Sequence, residues 1–334
     1  MLKPPRRSLL RLAATGLLGG RAASAQLPPA AAPQAVLPDS ATLLMPGPAG
    51  SGAARWAEAA AAGLVRALPQ AVALRATVLG GPDGVTAANR FATLQAGDGR
   101  TLLVLPGLAA HLRLVGESRA QFAPEGWLPI CVSWQGAVLA GRGLWPRSRG
   151  ETLRLALPAP EAPETAALLA LDLMGIEAQP VFAAAAQPPE DLVARGLADA
   201  VVIGAPAPLP AAAALGLVPW IELETPGRRD LPQLPSTAAV PGAAPRLEAM
   251  QAGFAALRLR AALMLPELTP ADTVAAWRRA AIRWQEEEAR QPSDAVATLV
   301  GAEARATVAP LFPAPPAMLA YREWLLRRLS WRPA

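Results

Sequence analysis

The chain has 334 residues, which is long enough for two α/β domains with ample core. Although 52% of its residues are hydrophobic, no run reaches the 18 or so uninterrupted apolar residues of a membrane-spanning helix, so we expect a soluble protein. Cys131 and His111 are each the only residue of their type, which excludes an intramolecular disulfide and a zinc site built from cysteine and histidine.

The first 25 residues have the pattern of an export signal. Three basic side chains, among them the pair Arg6-Arg7, precede a mostly apolar segment at residues 9–18, and the letters "ASA" at 23–25 form a small-x-small cleavage box. The arginine pair is also typical of a twin-arginine signal. We therefore predict that a cleavable signal peptide exports the protein to the periplasm and that the mature chain begins at Gln26.

Removing this leader changes the net charge of the chain. Five of the 31 basic residues lie in the first 25, which hold no acidic residue, and the remaining 26 balance the 26 acidic residues. A chain without net charge gives no support to nucleic-acid binding, which needs a basic face, so we predict no nucleic-acid partner. Residues 26–39 are rich in proline and alanine and are predicted to form an extended tether.

Strands and helices are predicted to alternate after the tether. The predicted order is a strand at 41–45, a helix at 53–68, a strand at 72–79, a helix at 85–96 and a strand at 101–105. Glycine-rich loops, "PGPAGSG" and "GGPDG", follow the first two strands. This order predicts a parallel sheet with both loops at the carboxyl ends of its strands, which is the edge where such sheets bind ligands.

The first glycine loop does not have the features of a nucleotide site. Gly47 and Gly52 have the spacing of a P-loop, but Ala53 and Ala54 stand where its lysine and its hydroxyl residue are required. The dinucleotide pattern G-x-G-x-x-G is absent as well. A helix N-terminus still favours an anion, so the loop is predicted to bind a negative group other than a nucleotide or to be a simple turn.

The βα series restarts after residue 150, which predicts two similar α/β lobes. Two apolar runs flank Gln135-Gly136, a second series covers residues 152–223, and a proline-rich connector leads to a helix at 270–290. We predict one lobe from residues 40–140 and 218–334, and an inserted lobe from residues 141–217. The last segment, "AYREWLLRRLSW", is amphipathic and is predicted to pack its tryptophan and leucine face onto its own domain.

Five stretches in order resemble one family. They are "PGPAGS", "GPDGVTAANRFATLQAGDGRTLL" (81–103), "PVFAAAAQPPEDL" (180–192), "RRDLPQLPSTAAVPG" (228–242) and "LPELTPADTVAAW" (265–277). In this order and spacing the chain resembles the extracytoplasmic solute receptors of tripartite tricarboxylate transporters (Bug and TctC receptors). This family is two-lobed and related to type II periplasmic binding proteins. The resemblance implies a periplasmic binding protein type II-like α/β fold, each lobe a mainly parallel sheet flanked by helices.

The resemblance also implies where a ligand binds. In this family, backbone N–H groups and helix N-termini of both lobes hold a ligand carboxylate, without an arginine. The positions implied in this chain are Gly47, Gly50, Ser51, Gly52, Gly84, Val85 and Thr86 in the first lobe, and Glu161, Thr165 and Phe182 in the second. This chain departs from the family pattern in the second lobe, where "LPAPEAPETAALL" replaces a glycine- and serine-rich loop. There Glu161 and Glu164 add negative charge, and Phe182 replaces a tyrosine.

The leading functional interpretation is a receptor that closes around a small organic molecule, with an organic acid expected, and delivers it to a membrane permease. The alternative is a receptor-like protein that presents a ligand-dependent surface to a sensor. An enzyme is not expected, because the candidate carboxylates, Asp83 with Asp98 or Glu161 with Glu164, have no nucleophile or metal beside them. We expect no cofactor, no metal and a monomer, and we place His111 at the surface or at a helix end.

Overall fold

The structure of the protein is a computed structural model that describes residues 37–94, 99–145, 152–237, 240–290 and 297–333. The predicted export signal, most of the predicted tether and Asp98 lie outside the described residues. Within these ranges, no helix combines the length and the apolar character that crossing a membrane requires.

Strands and helices alternate through most of the described chain. The strands are β1 (Ser40–Met45), β2 (Ala73–Val78), β3 (Thr101–Leu105), β4 (Leu128–Trp134), β5 (Gly136–Gly141), β6 (Leu153–Leu157), β7 (Ala178–Phe182), β8 (Ala200–Ala205), β9 (Val218–Glu222), β10 (Leu259–Leu265) and β11 (Ala297–Val300). The helices are α1 (Gly52–Ala67), α2 (Val85–Thr93), α3 (Gly107–Val115), α4 (Thr165–Leu173), α5 (Pro189–Ala194), α6 (Pro208–Ala214), α7 (Ala244–Arg258), α8 (Ala271–Glu288), α9 (Gly301–Val308) and α10 (Pro315–Leu329).

The strands of the described residues form two mixed sheets. The first has the order β11-β4-β10-β3-β1-β2, in which β3, β1 and β2 are parallel, as predicted, and β10 runs antiparallel between β3 and β4. The second has the order β7-β6-β8-β5-β9, in which β7, β6 and β8 are parallel and β5 and β9 are antiparallel to their neighbours. The predicted α/β fold with two lobes is confirmed.

The chain passes between the two sheets at different residues from the predicted lobe boundaries. The boundaries at 140/141 and 217/218 assigned both β5 and β9 to the first lobe. Instead, β5 pairs with both β8 and β9 and lies inside the second sheet. The chain therefore leaves the first sheet at Gln135, between β4 and β5, and returns after β9. Hydrophobicity alone could not separate β4 from β5, because both strands are buried along nearly their whole length.

The first helix shows how local sequence builds the first lobe. The Ser51 side chain accepts a hydrogen bond from the Ala54 amide at 3.2 Å and so caps α1. Small buried residues recur along one face of α1, which lets α8 approach closely. A Cβ atom added at Gly63 would lie 2.2 Å from the Trp284 ring, so only glycine fits at this contact. These residues place the N-terminus of α1 at the carboxyl end of β1.

The C-terminal segment packs onto the protein itself. Tyr321, Trp324 and Leu325 of α10 are buried, and the Trp324 indole donates a hydrogen bond to Asp172 of α4 at 2.8 Å. The prediction that this amphipathic tail covers its own domain is confirmed. The stretch "FAALRLRAALML", which carried no prediction of its type, ends α7 at Arg258 and begins β10 at Leu259.

Candidate ligand-binding cleft

A cavity of about 630 Å³ lies between the two sheets. The first lobe contributes the start of α3 after β3, and the second contributes the loop between β6 and α4 and the end of β8. The floor is formed where the chain passes between the sheets, at Gln135 and at the junction of α7 and β10. The carboxyl ends of parallel strands from both lobes thus face one space, as expected of a binding site in α/β sheets.

The start of α3 forms a tightly packed part of the first wall. A Cβ atom at Gly107 would lie 2.0 Å from the Ala256 carbonyl oxygen and 2.6 Å from that of Leu259, so glycine is required there. This contact fixes α3 against the α7–β10 junction. Leu108 and Leu112 of the same helix give the wall an apolar surface.

Arg260, the second residue of β10, supplies the positive charge of the first wall. Its side chain is half-buried and makes no hydrogen bond or ion pair with the residues that the structure describes. Burial lowers the pKa of its guanidinium from the usual value, and the nearby Arg55 lowers it further. A Cβ atom at Gly52 would lie 2.6 Å from Arg260 Nη2, so this arginine reaches the N-terminus of α1. The sequence did not predict Arg260 as a site residue, because this arginine lies in an apolar stretch far from both glycine loops.

The second wall is acidic. Glu161 and Glu164 of the β6–α4 loop line the cavity together with Glu190 of α5, and all three are half-buried. None of them pairs with a basic side chain among the described residues. Burial raises the pKa of the Glu164 carboxyl, and the charge of Glu190 raises it further, which shows that these two acids are close enough to repel each other. The sequence pointed to the first two glutamates but not to Glu190.

A second cluster of charges lies where the chain passes between the sheets. Arg258 is fully buried and donates to the carbonyl oxygens of Gln135 and Leu223, at 3.2 Å each, and to the Asp230 carboxylate. Glu222, also fully buried, lies 3.6 Å from Arg258 and accepts hydrogen bonds from the amides of Asp230, at 2.7 Å, and Leu231. We call Arg258, Glu222 and Asp230 the hinge cluster, because Arg258 joins both crossings of the chain. Nothing in the local sequence predicted it.

The predicted glycine positions of the first lobe lie beside the cavity wall rather than in it. None of Gly47, Gly50–Gly52 or Gly84–Thr86 lines this cavity. Gly50 and Gly84 have φ values of 81° and 74°, which favour glycine, and a Cβ atom at Gly84 would lie 2.5 Å from the Pro106 ring. Both loops therefore support residues that do line the cavity. Their own contact with a ligand stays a prediction.

The predicted residues of the second lobe have three different environments. Glu161 lines the cavity. Thr165 is buried, and its hydroxyl donates to the Ala159 carbonyl oxygen at 2.9 Å, so it holds the β6–α4 loop in shape. Phe182 is 38% exposed at the end of β7 and does not line the cavity.

Asp83 accepts a hydrogen bond from the Val85 amide at 3.1 Å and pairs with Arg119, which accounts for this acid structurally.

The prediction for His111 is wrong, because the side chain is fully buried in the middle of α3. Helix α3 packs between α7 and α10, so nearly every face of it is covered. Burial lowers the pKa of His111 to about 3, although the nearby backbone of Ala162 and Glu161 opposes this change. Neither ring nitrogen makes a hydrogen bond of normal geometry within the described chain. His111 is therefore neutral and lies behind the second wall.

The described part of the chain contains no candidate metal-binding cluster. No three histidine, cysteine, aspartate or glutamate side chains of that part are grouped so that they could hold a metal ion. The thiol of Cys131 is buried in β4, and its pKa is raised by burial, so it is a packing residue.

Comparison with known proteins shows similarity of fold without similarity of sequence. No known family profile matches the chain, and no curated protein matches it in sequence. A TctC solute-binding protein from Polaromonas, solved without ligand, superposes with a TM-score of 0.63 and 16% identity over 86% of this chain and 98% of its own. A protein described as a periplasmic transporter gives a TM-score of 0.50 and 16% identity, over 89% of this chain and 99% of its own. The two-lobed α/β fold that the sequence resemblance implies is therefore confirmed, although both sheets are mixed rather than mainly parallel.

Proposed function

We propose that the protein is a periplasmic solute receptor that captures a small organic molecule carrying a carboxylate between its two lobes and delivers it to a membrane permease. The observation that carries this proposal is the cavity of about 630 Å³ between the sheets, with walls from both lobes. Its volume lies within the range of small-molecule sites. The described chain passes between the sheets twice, and closure of the lobes around a ligand would bury it on both sides.

The residues of the cavity favour binding over catalysis. Its described lining consists of apolar side chains, glycines, one glutamine, one arginine and three glutamates, with no serine, cysteine, histidine or lysine among them. Carboxylates without a nucleophile beside them are a weak basis for an enzyme active site. Arg260, beside the N-terminus of α1, offers a carboxylate group of a ligand a positive charge and backbone N–H groups in one place.

A thermal-shift screen of the purified protein tests the proposal. The library contains organic acids, amino acids and aromatic compounds. A ligand present at about 100 times its dissociation constant should stabilise the folded state by about 2.7 kcal/mol. Permease delivery is then tested by measuring uptake of the identified ligand by cells with and without the receptor.

A matched pair of variants localises the binding site. Leu108→Trp places a large ring at the mouth of the cavity, and the 36% exposure of Leu108 leaves room for it on folding. Leu319→Trp makes the same change on the exposed face of α10. We expect the first variant to abolish the ligand-induced shift and the second to retain it. Equal shifts in both variants would place the binding site outside this cavity.

A further inference from the structure

The charges of the cleft differ between its two walls. The first wall carries Arg260, and the second carries Glu161, Glu164 and Glu190. We infer that the ligand is a zwitterion, a small molecule whose carboxylate faces Arg260 and whose cationic nitrogen faces the three glutamates. This inference rests on the proposed function and specifies the class of ligand for the same cavity.

The positive charge of Arg260 has no counterion among the described residues. A half-buried guanidinium without an acidic partner costs free energy, because it has lost water without gaining a counterion. Arg260 has no such partner among the described residues, and Arg55 adds a second positive charge nearby. Arg55 itself donates to the Gly50 carbonyl oxygen at the start of α1. An anionic group at this wall would therefore satisfy Arg260 and relieve its repulsion with Arg55.

The acidic wall disfavours a second carboxylate. A ligand with carboxylates at both ends would place one of them against three glutamates, and like charges at an interface are strongly unfavourable. A cationic nitrogen reverses the sign of this interaction. It would also offset the repulsion between Glu164 and Glu190, which raises the pKa of Glu164 in the free protein. The second wall therefore selects against dicarboxylates and favours an ammonium group.

The rest of the described cavity lining is mostly apolar. It includes Leu108, Val202 and Leu257, and Gln135 is its only uncharged polar side chain. This surface offers few hydrogen bonds to hydroxyl groups and suits the aliphatic part of a ligand. An amino acid or a chain-like amino carboxylate combines all three features.

A matched series of five-carbon compounds tests the inference by calorimetric titration of the purified protein. The series is 5-aminopentanoate, 2-aminopentanoate, pentanoate, pentanedioate and pentane-1,5-diamine. We expect at least one amino carboxylate to bind about tenfold or more tightly than pentanoate, pentanedioate and the diamine, because only it pairs with both walls. If pentanoate or pentanedioate binds as tightly as the amino carboxylates, the zwitterion inference is wrong while the receptor function stands.

Two variants assign the charges to the walls. Glu161→Gln with Glu190→Gln should weaken amino carboxylate binding about tenfold and strengthen pentanedioate binding, whereas Glu58→Gln with Glu323→Gln, on exposed helix faces, should change neither. Arg260→Gln should weaken every carboxylate and spare the diamine. An unchanged preference in both cleft variants overturns the inference. If no member of the series binds, the inference fails, and the receptor function is judged by the broader screen.

Discussion

Arg258 and Arg260 stand two residues apart where α7 passes into β10, yet their surroundings are opposite. Arg258 is fully buried and is met by two carbonyl oxygens, the Asp230 carboxylate and the nearby Glu222. Arg260 is half-buried in the cleft and has no hydrogen-bonding or ionic partner within the described chain. The acids differ in the same way, since Glu222 is paired and Glu161, Glu164 and Glu190 have no basic partner among the described residues.

Under the proposed function, this difference separates charges that maintain the fold from charges that a ligand would compensate. In the hinge cluster the buried charges are compensated inside the protein, so removing one member takes the nearest counterion from another. In the cleft the described residues supply no counterion, so changing these charges should alter binding more than stability. Three measurements can break or sharpen this comparison.

The largest effect is expected for Arg258→Gln. The change removes the buried guanidinium from Glu222 and Asp230, which keep only the more exposed Arg229, at 3.8 Å, and Arg228, at 3.0 Å. The free energy of unfolding should fall by about 3 kcal/mol, the lower end of the range for a broken buried pair. Urea unfolding measures the loss. The control is Arg66→Gln on the exposed face of α1, which should cost less than about 0.5 kcal/mol. If the two variants lose equal stability, the hinge cluster does not stabilise the fold.

The next largest effect on the free energy of unfolding is expected at His111, which is buried and has no ionic partner among the described residues. Its folded pKa of about 3 lies below the unfolded value of about 6.5, so protons bind preferentially to the unfolded chain. This contribution to stability is present above pH 6.5 and is lost as the pH falls toward 3. Between pH 7.5 and pH 5 the loss should be about 2 kcal/mol.

The contribution of His111 is isolated by His111→Phe, which keeps a ring against Tyr321. Unfolding curves of both proteins are measured from pH 7.5 to pH 5, and the difference between their free energies of unfolding is compared. That difference should shrink by about 2 kcal/mol as the pH falls. A difference that does not vary with pH would mean that folding does not shift the pKa of His111.

The smallest effect on stability is expected for Arg260→Gln. The variant removes a partly desolvated charge that has no partner in the described chain, so the free energy of unfolding should change by less than about 0.5 kcal/mol or rise slightly. Urea unfolding beside Arg258→Gln gives a direct comparison of the two arginines. A loss of several kcal/mol would show that Arg260 is structural and would remove the contrast between the hinge cluster and the cleft.

Much of the first lobe could be predicted because its signals are local. The apolar run of β1 ends in prolines and glycines, Ser51 caps the following helix, and the period of small residues continues through α1. Turn residues, caps and periodicity act over fewer than about 20 residues, so the alternation of strands and helices was readable along the chain. The position of Glu161 beside a helix start was readable for the same reason.

The composition of the cleft was decided by tertiary structure. Arg260 and Glu190 lie 70 residues apart in different lobes, and no spacing rule relates them. The sequence of the chain determined two α/β lobes, glycine turns at strand ends and an acidic loop before α4. Only packing placed β5 within the second sheet, buried His111 on all sides, and gave Arg258 its carboxylates while leaving Arg260 without one in the described part of the chain. Charges act through space, and the fold sets their distances.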